Sequence, residues 1–278
     1  MVLADSVRDA ILRHFEDLDF WRAHWKRSAV VVTGSTARGA VDEFADLDVN
    51  VYVPEASFDP LYADYQKAAD DERVQVMNPK AFLYHEFPFV PMAGLHGHYR
   101  VYLFEDLERK IALHDDIAMW VHQTGIVVHD PSARYTTIQR AASAYPEDVW
   151  RERIRFHYLE AVLSAGAASN PLRRNDLNAV TLTMTDCVAH VLRLCCLLDR
   201  KPFPYDKWLY HEALQTQGGR ELGPLLEEFL DEIRKPVLTR AKPVCYLQPG
   251  HRKADLEEFR LYVIWLQLRG YFEAHWPK

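Results

Sequence analysis

Apolar residues recur along this chain with two different periods, and the change from one to the other divides it. From Ser6 to about Lys26, Val7, Ile11, Leu12, Phe15, Leu18 and Trp21 fall at helical spacing. The next run, Ala29-Val30-Val31-Val32-Thr33-Gly34-Ser35, is short, β-branched and closed by glycine, which predicts a buried strand entering a tight turn. Leu47 to Pro54 alternates apolar with polar residues and stops at proline, a second strand. Pro60 to Ala69 is a predicted short helix and Arg73 to Met77 a third strand. His98 to Asp106 is a fourth strand, followed by a helix through Trp120. From Pro146 onward strand signals fade. Leu177, Val180, Met184, Val188, Val191, Cys195 and Leu198 mark one helical stripe. A last helix is predicted from about Ala254 to His275, with Leu256, Phe259, Tyr262, Val263 and Leu266 inward. The pattern is that of an α+β fold: a small mixed β-sheet domain over residues 1–140, then an all-α helical bundle over 141–278.

Composition narrows the partners. The 278 residues are 49% hydrophobic, 26% charged and 12% aromatic, within the range of ordinary globular chains. Forty acidic against 33 basic side chains leave a formal charge of −7, so a broad surface for long nucleic acid is not expected. No run of about 18 apolar residues predicts a membrane span. The first twenty residues carry charges throughout, so no secretory leader is expected there. Three of the four cysteines, Cys187, Cys195 and Cys196, lie inside the apolar helical stripe, and Cys245 stands apart. No CxxC occurs, and reduced thiols in a cytoplasmic protein are the expectation.

One segment carries chemistry. Gly34-Ser35-Thr36-Ala37-Arg38-Gly39 is followed, ten residues after the serine, by Asp46-Leu47-Asp48. Glycines at 34 and 39 permit unusual dihedrals and close approach by a ligand. A strand that turns into a helix presents backbone N–H groups to an anion. Ser35 adds a hydroxyl and Arg38 a fixed positive charge. Asp46 and Asp48, two apart on a strand, leave the same face. Their like charges repel unless a cation lies between them, and hard oxygen ligands suit magnesium bridging to phosphates.

Each part alone is commonplace, but their conjunction in this order is specific. It resembles the active-site signature of the nucleotidyltransferase superfamily built on the DNA polymerase beta fold. The similarity is greatest to the small bacterial branch of aminoglycoside, lincosamide and minimal nucleotidyltransferases. The residue before the first Asp, usually Ser there, is Ala45 here. The resemblance implies that Asp46 and Asp48 hold Mg2+ and nucleotide while Gly34 and Ser35 hold the terminal phosphates. It also implies a third carboxylate from a later strand; our register places Val101 there, with Glu86 and Glu105 as substitutes.

A looser resemblance covers Arg174-Asn175-Asp176, the long helix, and Pro204-Tyr205-Asp206-Lys207-Trp208-Leu209, similar to the helical domain attached to such enzymes. It implies Lys207 as a nucleotide contact and Asp176 as a general base, although Asn175 or Asp176 equally suits a helix N-cap. His96-Gly97-His98 is set aside as loop surface, since no ligand spacing completes a metal site.

The function implied is transfer of an NMP, AMP from ATP, to a hydroxyl of a small-molecule acceptor in a cleft between the domains, with release of pyrophosphate. No membrane is expected among its partners. Related enzymes often pair, so a homodimer is compatible with the resemblance. The alternatives are a non-catalytic nucleotide- or partner-binding module, suggested by the missing third acid, or a transferase acting on protein or tRNA.

Overall fold

A computed structural model describes residues 3–39, 45–234 and 260–275. The chain divides into two compact units, Met1–Ser143 and Ala144–Lys278.

The first unit is built on a mixed five-stranded sheet in the order β3-β4-β2-β1-β5. Its strands are β1 (Ala29–Val32), β2 (Leu47–Val53), β3 (Val90–Pro91), β4 (Gly97–Leu103) and β5 (Ile126–His129). β1 lies antiparallel to β2 and to β5. β2 lies parallel to β4, with Asp48 opposite His98, Asn50 opposite Arg100 and Val51 opposite Val101. Alternation along these strands settles which face is buried. Val49, Val51, Tyr99 and Val101 join Val30 and Val32 in a core closed by Ile11, Phe15, Trp21, Leu61 and Tyr65. The first two closing residues belong to helix α1 (Asp5–Glu16), and the last two to helix α4 (Glu55–Asp70), which follows the short α2 (Arg22–Trp25) and α3 (Gly34–Arg38) and carries the crossover out of β2. Asp48 and Asn50, with His98 and Arg100, therefore take the other face.

The first two predicted strands are present, and the fourth ends at Leu103, where a helix begins. The third is not a strand. Arg73 and Val74 donate their amides to Ala68 O at the end of α4, and Glu72 there has φ 56°, so these backbone groups close a helix rather than a ladder. Its place beside β4 is taken by the two residues Val90 and Pro91. β5 was not among the predicted strands. α4 begins at Glu55, not Pro60, because Pro54 ends β2 with an extended backbone and the Glu55 amide is capped by Glu105 Oε2 at 3.0 Å. The helix predicted through Trp120 is two, Phe104–Ala112 (α5) and Asp116–Gln123 (α6). His114, at φ 53°, breaks it, and Asp115 caps α6 by accepting the Ala118 amide at 2.8 Å.

All the regular elements of the second unit are helices among the described residues. Glu147–Ala167 (α8, after α7 at Arg134–Ala141) packs on Leu177–Leu198 (α10, after the short α9, Ser169–Arg173). α10 has the length and apolarity to cross a membrane, but 61% of that stretch is buried in this unit, as befits a core helix. Val180, Met184, Val188, Val191 and Cys195 of its predicted stripe are all buried. Burial pushes the Cys187 thiol up to about 12, so it is a core filler and not a nucleophile. The last described helix, Arg260–Ala274, buries Ile264, Leu268 and Phe272. Leu266, expected inward, is exposed, and the burial of Tyr262 and Val263 lies outside what is described. Ala254, Leu256 and Phe259 lie outside the described residues, as does Cys245.

Buried histidines make this fold acid-sensitive. In the second unit His157 Nδ1 lies 2.8 Å from His190 Nδ1, so one nitrogen donates and the other accepts, and an added proton would break the pair. In the first, His122 bridges the hydroxyls of Tyr52, at 3.1 Å, and Tyr135, at 2.9 Å. Burial lowers His157 to about 3 and His122 to about 4, and lowers His190 as well. These values lie below the unfolded value near 6.5, so the unfolded chain binds more protons in that range. The stability they contribute is present above about pH 6.5 and is lost as pH falls toward 4 and then 3. For His122 alone that loss is about 3 kcal/mol. Denaturant unfolding at pH 4.5 should show a lower midpoint than at pH 7.5, and His122→Phe should flatten the slope; equal midpoints would contradict the prediction.

Candidate metal and nucleotide site

The site forms where the turn after β1 meets the start of β2. Thr33 N donates to Asp48 O at 2.9 Å, and Thr36 Oγ1 donates to Asp46 O at 3.4 Å, so the turn is stapled to the acidic strand. Gly34 opens the short helix α3 (Gly34–Arg38) at φ +66°, and Gly39 ends it at φ 78°. A β-carbon at position 34 would overlap the Asp48 carboxylate and come within 3.1 Å of its Cγ. Glycine is therefore needed twice there, for its backbone angle and for the space that the carboxylate fills. Ser35 is buried in the same turn.

β4 supplies the third group. His98, opposite Asp48 in the parallel register, has Nδ1 at 3.4 Å from Asp46 Oδ2 and Nε2 at 3.3 Å from Asp48 Oδ1. One ligand atom from each of Asp46, Asp48 and His98 can be chosen so that all lie within 4.8 Å of one another. The imidazole is held edge-on to the Phe89 ring, centroids 4.8 Å apart. Its side chain is 18% exposed, against 45% and 37% for Asp46 and Asp48. The nitrogen is thus the inner wall and the carboxylates the open side.

His98 corrects the reading of the third position. Val101 pairs with Val51, and both are core residues, so its side chain faces away from the acids. Glu86 pairs with Arg100 at 3.5 Å, while Glu105 caps α4 and pairs with Arg134 at 3.0 Å. His98 lies in β4, as the fourth predicted strand had it, and not on loop surface, as the reading of His96-Gly97-His98 had it. The signal for it was the alternation His98-Tyr99-Arg100-Val101-Tyr102, in step with Asp48-Val49-Asn50-Val51-Tyr52 on the neighbouring strand.

Arg38 sits at the end of α3, where its guanidinium donates to Trp120 O and lies 3.3 Å over the Trp120 ring. That cation–π contact ties α3 to α6. Asp176 and Lys207 belong to the second unit. Asp176 is the N-cap of α10, its Oδ1 accepting the Ala179 amide at 3.1 Å. Lys207, exposed in the first turn of helix α11 (Asp206–Leu214), has Nζ 5.7 Å from the Trp208 ring centre.

Two family models match the sequence. The family model described as a nucleotidyltransferase domain matches residues 18–113, which contain the whole turn, both aspartates and His98. Residues 114–209 match a second model, a domain of unknown function (DUF4037), which spans parts of both structural units. No curated protein matches the chain. Among solved structures, a nucleotidyltransferase-like protein from Exiguobacterium sibiricum 255-15 aligns at a TM-score of 0.49 and 10% identity, covering 97% of this chain and 76% of that one. Residues 18–113 thus carry a nucleotidyltransferase domain.

Gly34→Ala tests the packing of turn against acid. The left-handed backbone angle alone costs an alanine about 1–2 kcal/mol, and the overlap with Asp48 adds to it. The variant should lose at least that much stability by denaturant titration; wild-type stability would show that position 34 has slack.

Proposed function

We propose that this protein transfers an NMP, AMP from ATP, to a hydroxyl of a small-molecule acceptor and releases pyrophosphate. The observation that supports this most is the meeting of Asp46, Asp48 and His98 within 4.8 Å on a nucleotidyltransferase domain, beside a turn whose Gly34 packs on Asp48. Two carboxylates and an imidazole are a donor set that fits a divalent cation. Mg2+ is the ion implied by the resemblance; bound there, it would neutralise the triphosphate and the departing pyrophosphate.

The protein's own part is positioning. Asp46 and Asp48 hold the cation, and the Gly34–Ser35 turn lies against Asp48, where the terminal phosphates are to bind. The acceptor's hydroxyl oxygen forms a bond to the α-phosphorus as the bond from that phosphorus to the β-bridging oxygen breaks. Pyrophosphate leaves with the electron pair, and the hydroxyl proton passes to solvent. No covalent intermediate is needed, so the rate rests on orientation and charge neutralisation. The acidic balance of the chain, −7, favours a small cationic or polyhydroxyl acceptor of the aminoglycoside kind over nucleic acid. The same reading places the protein in the cytoplasm.

Pyrophosphate release from ATP, assayed across small cationic and polyhydroxyl acceptors, tests the proposal. Asp46→Asn and Asp48→Asn should each slow it by about 100-fold or more while the circular dichroism spectrum is kept. Cation-dependent ATP binding with no pyrophosphate from any acceptor would instead support a nucleotide-binding module.

A further inference from the structure

The third corner of the cation site offers nitrogen where the superfamily resemblance led us to expect a carboxylate oxygen. We propose that His98 sets the metal preference of this site, so that a transition-series divalent ion of the Mn2+ and Co2+ kind is bound ahead of Mg2+. This inference rests on the divalent-cation reading of Asp46 and Asp48 and goes beyond it.

Position is the first support. The backbone of His98 is fixed between two strands, paired with Asp48 on β2 and Pro91 on β3, and its ring is held by Phe89. Its nitrogens already stand 3.3 and 3.4 Å from the two carboxylates. Neighbouring donors of one ion, bonded at about 2.0–2.2 Å, stand roughly 3–3.5 Å apart. Only one imidazole nitrogen can bind a given ion, and one ligand atom from each of the three side chains lies within 4.8 Å of the others, so a modest contraction of the triad lets them share it.

Donor chemistry is the second. Mg2+ takes oxygen ligands almost exclusively and is held by charge, whereas imidazole suits the later divalent ions. Replacing a carboxylate by a neutral imidazole removes one negative charge from the hold on Mg2+ and adds a nitrogen donor that transition ions prefer. The neighbourhood reinforces this. The two nearby carboxylates that might restore an all-oxygen site are engaged elsewhere, Glu86 with Arg100 and Glu105 with Arg134.

The experiment is metal binding to the full chain, stripped with chelator and free of nucleotide. Isothermal titration with Mn2+, and competition by Mg2+ followed through the Mn2+ electron paramagnetic resonance signal, give the two affinities. The wild type should prefer Mn2+, and His98→Asp should shrink that preference by roughly 10-fold or more, the scale already seen for groups one step removed from a metal. Should His98→Asp fail to fold, the wild type serves: the electron spin-echo modulation of bound Mn2+ should show a directly coordinated imidazole nitrogen. An unchanged preference in His98→Asp, or bound Mn2+ with no such nitrogen coupling, overturns the inference. Pyrophosphate is not read in this experiment, so a chain that binds Mn2+ through His98 yet transfers no nucleotide would overturn the functional reading and leave this one intact.

Discussion

Two like charges held side by side at the end of a strand are the constraint around which the first unit is arranged. Asp46 and Asp48 leave the same face of β2 because strand geometry alternates side chains, and Leu47 and Val49, with the opposite parity, are buried in the core. The pair cannot relax by turning one acid inward without pulling Leu47 or Val49 out. The repulsion is met from outside the strand instead. His98 comes from the parallel neighbour, and the Gly34 turn closes on Asp48 with no room for a side chain.

The register of β2 and β4 is what makes that meeting possible. A shift of one residue would bring Gly97 or Tyr99 opposite Asp48 and send His98 into the core. The register is held by the shared core, where Val51 lies beside Val101 and Val49 beside Tyr99, whose hydroxyl is 2.6 Å from that of Tyr65 on α4. Packing on one face of the sheet thus fixes chemistry on the other. On the same outer face Tyr52 and His122 form a buried hydroxyl–imidazole network, which ties the far end of β2 to α6.

Much of this was legible before any coordinates, and the failures have definite causes. β1, β2 and the long core helix α10 announce themselves because their apolar periods are regular over whole elements. The acidic turn stands out because glycine, serine, arginine and paired aspartates occur in an order that chance seldom produces. His98 was passed over because its neighbours His96 and Gly97 look like a loop, and only the partner strand shows that it faces Asp48. Arg73 to Met77 looks like a strand by composition, yet its first amides are spent closing α4. A single sequence shows a residue's own pattern well, but it shows poorly which neighbour will claim its backbone.

Anomalous diffraction from crystals soaked with Mn2+ and a non-hydrolysable ATP analogue tests the central claim most directly. The account predicts a manganese peak bonded to Asp46, Asp48 and His98, with the triphosphate running from it toward Gly34 and Ser35. A peak away from these three side chains, or a nucleotide bound elsewhere on the first unit, would contradict it.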